Sequence, residues 1–143
     1  MFRAIYIALC VLFLSACSAD RMVLSLHTSN VINPDDQHRA LVLYLKIFQL
    51  SSLKSFQDQS VTALWQLTQG PEILAVDTVC VKNNDTKTVS IDLDPRTEFI
   101  GVVADFRQSA AAQTLVIPLK GNNFSTNPLS ILIQNNQLEL GGS

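Results

Sequence analysis

The chain has 143 residues, 48% of them hydrophobic and 15% charged, which fits one domain and excludes both a second independent core and intrinsic disorder. Ten basic against twelve acidic side chains give a formal charge of −2, so no basic excess exists to neutralise a phosphate backbone, and nucleic-acid binding is a poor first reading. Five glycines and five prolines are too few for a collagen-like or low-complexity chain.

Arg3 supplies a short positive region, and Ala4 to Leu14 an apolar run of eleven residues. The run is shorter than the roughly 20 residues of a membrane-spanning helix and suits the apolar part of a secretory signal peptide. It closes on Leu14-Ser15-Ala16-Cys17, which resembles the bacterial lipobox. That resemblance implies cleavage before Cys17, diacylation of its thiol and acylation of the new amine, palmitate being a typical chain. Each buried methylene contributes about 0.8 kcal/mol, so two or more chains hold stably where one holds marginally. Ser18, rather than an aspartate, resembles the lipoproteins destined for the outer membrane. The expected organisation is a signal peptide at 1–16, a lipidated tether at 17–21 and one domain at 22–143. Cys80 is then the one thiol left free, so no internal disulfide forms. In Val79-Cys80-Val81 it reads as a buried, inert core residue.

Strand signals follow in order. Met22 to Ser29 alternates, with Leu24 and Leu26 on one face and Ser25 and His27 on the other. Asn30 to Arg39 is a polar turn region containing Asn33-Pro34-Asp35-Asp36. Ala40 to Leu50 places Leu41, Leu43, Leu45 and Ile47 on one face and Val42, Tyr44, Lys46 and Phe48 on the other. Its start is apolar on both faces, as in a strand covered on both sides. Phe56, Val61, Leu64, Trp65 and Leu67 recur near helical spacing. A helix is predicted over Val61 to Thr68, capped by Asp58 or Ser60 and ended by Gly70-Pro71. Strands resume at Ile73 to Val81, Lys87 to Leu93, Glu98 to Arg107 and Thr114 to Leu119. A closing hairpin pairs Leu129 to Gln134 with Gln137 to Leu140 across Asn135-Asn136. About eight strands with one helical insertion predict a mainly β chain of two packed sheets.

Chemistry is sparse. His27 falls on a polar strand face and His38 in a loop, with no zinc-binding spacing, nucleophile elbow or phosphate-cradling glycine loop in the chain. Asp35-Asp36, and Asp92 with Asp94, are paired carboxylates beside turns. They read as solvated rather than as a glycosidase or calcium site, which would need a cleft or six oxygens. Arg107 is expected to pair with Asp105 or to cap its strand.

Three segments carry a family resemblance: Asn33-Pro34-Asp35, Ile47-Phe48-Gln49-Leu50-Ser51 with Phe56 following, and Phe99-Ile100-Gly101-Val102-Val103-Ala104-Asp105-Phe106-Arg107. Val116-Ile117-Pro118-Leu119 closes the series. In this order behind a lipobox, the chain resembles the type VI secretion lipoprotein family (TssJ, also called SciN). Where that family often has Gly-Arg-Pro before its second strand, this chain has His38-Arg39-Ala40. The resemblance implies a transthyretin-like β-sandwich without enzymatic activity or cofactor. It also implies anchoring in the outer membrane on the periplasmic face, and binding to the periplasmic C-terminal region of the inner-membrane protein TssM. The family's contact loop corresponds to Asn30–Arg39, making Asn33, Pro34, Asp35, Asp36, Gln37, His38 and Arg39 the candidate partner-binding residues. No metal and no small-molecule substrate are expected. Two rivals remain on the residues alone: a lipid-anchored sandwich that binds a small ligand, and an envelope glycan hydrolase using Asp92 or Asp94.

Overall fold

The structure, a computed structural model, describes residues 20–107, 113–120, 128–134 and 136–141. The expected signal peptide, Cys17 and the first residues of the tether lie outside the described residues, as does Asn135.

Among the described residues there are eight strands and two short helices. In chain order they are β1 (Arg21–Thr28), β2 (Leu43–Leu50), α1 (Lys54–Gln57), α2 (Val61–Gln66), β3 (Ile73–Val81), β4 (Thr86–Asp92), β5 (Phe99–Ala104), β6 (Thr114–Pro118), β7 (Leu129–Gln134) and β8 (Gln137–Leu140). They form two four-stranded sheets, ordered β4-β1-β7-β8 and β3-β2-β5-β6. The expected mainly β architecture is what the chain adopts. The strands pair antiparallel except β1 with β7, which run parallel in register Leu24↔Leu129 to Thr28↔Ile133.

Alternation builds the core. Met22, Leu24 and Leu26 of β1, Leu43, Leu45 and Ile47 of β2, Ile100, Val102 and Ala104 of β5, and Ile131 and Ile133 of β7 are buried in one cluster between the sheets. Removing such alternating faces from water is the main favourable term in folding. A second, smaller core lies on the outer face of the β3-β2-β5-β6 sheet, where the insertion folds back. Phe48, Leu50 and Val103 from the sheet meet Phe56 and Leu64 from the helices. Phe48 and Phe56 are edge to face, with centroids 5.6 Å apart. Ser60 Oγ accepts the Ala63 N–H, capping α2 at its first turn. At the other end, Lys46 Nζ donates to the carbonyls of Trp65, at 2.7 Å, and Leu67. The ammonium also lies over the Phe48 and Trp65 rings. A cation at a helix C-terminus meets the negative end of its dipole. Burial pushes this ammonium below the ordinary lysine value.

Several expectations need correction. The β2 region is covered on both faces at its end rather than its start: Lys46 to Leu50 are buried throughout, whereas Val42 and Tyr44 are exposed. The helical layer reaches only the end nearest its own attachment. Strand pairing begins at Leu43, not Ala40, and β1 begins at Arg21 rather than Met22. The predicted helix ends at Gln66, before Thr68, because Leu67 is already extended. Asp58 does not cap it but closes α1, a short helix that four residues carry too little periodicity to announce. Cys80 is half-buried rather than a core thiol. It lies opposite Tyr44, on the outer sheet face away from the main core.

The edge strand β3 has nine residues and a single charge, Asp77. Asp77 is paired with Ile47 and so lies on the core side of the sheet, yet it is exposed. A charge turned inward on an edge strand obstructs pairing with another chain. Lys87 Nζ, 2.9 Å from the Cys80 carbonyl, blunts the same strand.

Candidate functional site

β1 fixes the geometry of the candidate site. The chain enters β1 at Arg21, and the connection 29–42 leaves after Thr28, so the entry to β1 and the loop stand at opposite ends of the strand. The eight residues of β1 separate them by about 25 Å at the usual strand rise. The strand registers put three neighbours at the loop end: the β3–β4 connection 82–85, the segment after β5, and the β7–β8 turn at Asn136.

The loop is tied down along its length. Thr28 N–H donates to the Asp85 carbonyl and Asn84 N–H to that of Ser29, and Asn83 Nδ2 donates to the Asn30 carbonyl. Ile32 is buried in the main core. Asn33 is buried as well, in the left-handed region at φ 47°, which asparagine tolerates better than most residues. Asp35 closes a compact turn. Its Oδ1 accepts the Gln37 and Arg39 N–H groups at 2.9 Å each. Its Oδ2 receives Arg39 Nε at 2.8 Å and lies 2.7 Å from Nη2. The Arg39 backbone N–H, then its side chain and the Gln37 N–H, hold this carboxyl below the ordinary carboxylate value against the opposing effect of burial.

Of the seven candidate partner-binding residues, two therefore face inward. Asn33 and Asp35 are buried, and their polar atoms bond within the protein. Pro34 is half-buried, while Asp36, Gln37, His38 and Arg39 are exposed. His38 has φ 60°, the backbone setting that glycine adopts freely. The departure from Gly-Arg-Pro thus leaves the turn in place, with His38 accepting the left-handed geometry. Arg107 does not pair with Asp105 as expected. Its Nη2 donates to Asp36 Oδ2 at 2.8 Å, across to the loop, because its N–H is drawn to Asn33 Oδ1 at 2.6 Å.

Sequence reasoning missed the apolar component of this end. Of the four most exposed large hydrophobic residues among those described, Val31, Val42 and Tyr44 lie in the connection or just beyond it, 47%, 41% and 49% exposed. The signal was the unbroken apolar start of the β2 region, read as covered. An exposed tyrosine and aliphatic groups beside a polar rim have the make-up of a protein-binding surface.

Asp92 and Asp94 are placed at the opposite end and are individually matched. Asp92 pairs with Arg21 at 2.9 Å and Asp94 with Arg96 at 2.9 Å. β4 ends at Asp92, leaving Asp94 in the turn that follows. Gln49 holds this turn from inside the sandwich, donating to the Asp92 carbonyl and accepting from Asp94 N–H and Thr97 Oγ1. The Arg96 side chain and then its N–H lower the Asp94 pKa from 3.8 to about 2. A depressed folded pKa contributes stability that is present above about pH 4 and lost as pH falls toward 2. Asp94→Asn is accordingly expected to flatten the fall in melting temperature between pH 4 and 2, measured by thermal denaturation beside the unaltered protein. His27 is half-buried, hydrogen-bonded to Ser25 Oγ at 3.0 Å and Thr86 Oγ1 at 3.2 Å. Among the described residues no group of three His, Cys, Asp or Glu side chains gathers to hold a metal.

A family model described as "Type VI secretion lipoprotein, VasD, EvfM, TssJ" matches residues 20–136. Among solved structures, a chain of the "Type VI membrane complex" superposes with a TM-score of 0.79 at 21% identity, covering 87% of this chain and 100% of that one. A chain from "T6SS protein TssM C-terminal domain (869-1107) from EAEC" gives 0.78 at 22% identity, covering 86% and 98%. The lipoprotein TssJ1 from Pseudomonas aeruginosa gives 0.71 at 20% identity, covering 87% and 98%. At these identities the likeness establishes a shared fold. No curated protein sequence matches the chain.

Proposed function

The chain belongs to the type VI secretion lipoprotein family, and from that premise we propose that it tethers the secretion machine's membrane complex to the outer membrane. Acyl chains on Cys17 hold it on the periplasmic face. The loop end binds the periplasmic C-terminal region of the cognate TssM through Asp36, Gln37, His38 and Arg39, with Pro34 stiffening the loop. Its work is mechanical, and it carries out no catalysis.

One observation carries this reading: the chain enters β1 at Arg21 and leaves it after Thr28 into the 29–42 connection, at opposite ends of a single strand. A lipid at one end then presents the other end away from the membrane, and a pull on the loop passes along β1, hydrogen-bonded on both sides by β4 and β7. Surface loops on a rigid scaffold are common binding sites, and a loop already ordered loses less entropy on docking.

The test is capture of the detergent-solubilised lipoprotein by the periplasmic C-terminal region of its TssM. Replacing Asp36, Gln37, His38 and Arg39 together by serine is expected to weaken binding at least about tenfold, since loss of a few well-placed contacts removes most interface energy. Replacing Asp94 and Arg96 at the far end should leave capture intact. Unchanged capture by the loop variant would overturn the assignment.

A further inference from the structure

Asn33 stands where three segments meet, and its bonds tie them together. Nδ2 donates to the Val42 carbonyl at 3.0 Å, linking the start of the loop to its end. Oδ1 accepts the Arg107 N–H, linking the loop to the segment after β5. Its backbone N–H donates to Asn136 Oδ1 at 3.1 Å, linking the loop to the β7–β8 turn. Its carbonyl accepts the Leu41 N–H at 3.3 Å. With the residue only 6% exposed and both the nitrogen and the oxygen of its amide bonded within the protein, Asn33 is turned inward rather than displayed to a partner.

We propose that Asn33 is a positioning residue: it locks the 29–42 connection, the segment 105–107 and the Asn136 turn into one preset face, and TssM reads that composite face rather than a mobile loop. The inference rests on the docking reading above and assigns this residue a part different from contact. Two further observations support it. Arg107, positioned through its N–H by Asn33, carries its guanidinium to Asp36, so the same residue sets an exposed ion pair on the candidate face. The side-chain amide bridges Val42 and Arg107, which flank β2 and β5 of one sheet, and the backbone N–H reaches across to the turn of the other sheet. Val42 leads into β2, while Asn136 joins β7 to β8, so loosening Asn33 frees the face without unpairing a strand.

Asn33→Asp is the decisive variant. It keeps the shape and the acceptor for Arg107, but loses the donor to Val42 and sets a carboxylate against that carbonyl. Two readouts are taken on the detergent-solubilised lipoprotein: amide hydrogen exchange over Asp35–Leu41 in the free protein, and affinity for the periplasmic C-terminal region of the cognate TssM. When only part of the population is binding-competent, apparent affinity falls by that fraction. The expected result is faster exchange and an affinity drop of about tenfold, carried mainly by slower association. Gln37→Ala, a contact variant, should weaken binding with exchange unchanged. Asn136→Ala, which removes a different bond of the same hub, should repeat the Asn33→Asp pattern more mildly and serves if that variant does not fold. Faster exchange with unaltered affinity, or unaltered exchange, overturns the proposal. Failure of the unaltered protein to bind overturns the docking reading instead; the exchange data need no partner and separate the two outcomes.

Discussion

Gly101→Val is expected to lift the helical layer off the sheet and cost several kcal/mol. A Cβ at Gly101 falls 2.7 Å and 2.8 Å from two carbons of the Phe56 ring and 3.2 Å from Leu50 Cδ1. The ring has little room to retreat: it is 4% exposed and wedged edge-on against Phe48. Overpacking of this kind costs about 1–3 kcal/mol, and losing a buried phenylalanine from its site about 3–5. Either is a large part of the roughly 5–15 kcal/mol that holds a domain together. Lifting the helical layer also strips the cover from Lys46, whose two carbonyl partners belong to the end of α2. Urea denaturation measures the loss. Gly101→Val combined with Phe56→Ala should be less damaging than the sum of the two, because removing the ring makes room for the new methyls. Strict additivity would mean that the contact does not set the packing.

Cys17→Ala has the largest expected effect in the cell. One acyl chain gives only marginal, reversible membrane binding, whereas several hold stably, and alanine removes the thiol and the processing signal together. Secretion through the type VI machine should fall to background, and the protein should fractionate away from the outer membrane. The folded domain should still bind TssM, since residue 17 precedes β1 and the proposed lipid would join the chain on the side away from the loop. Normal secretion from the alanine variant would sever the lipid from the mechanism.

The alternation of Leu24 and Leu26, and of Leu43, Leu45 and Ile47, was enough to read these strands and the faces they bury. The Leu129 to Gln134 and Gln137 to Leu140 hairpin keeps its predicted bounds. What escaped the sequence depends on which element lies over which. Lys46 reads as an ordinary surface position until α2 places two carbonyls beside it. Gly101 reads as a bland strand glycine until Phe56 is seen on it. The parallel pairing of β1 with β7 joins residues about one hundred positions apart, beyond any local pattern. In the loop, chain order marks Asn33 to Arg39 as one turn region. It cannot separate Asn33 and Asp35, which bond inward, from Asp36 to Arg39, which stay exposed. Arg107 shows the same limit: its nearest acid in sequence, Asp105, loses to Asp36, because folding brings the loop across.

If the two ends of β1 divide the labour, site-specific photo-cross-linking in living cells will tell them apart. With a photoreactive residue at position 37, in the loop, irradiation should yield an adduct with TssM. At position 96, in the turn on the tether side, it should yield none. An adduct from 96 with none from 37 would contradict the account.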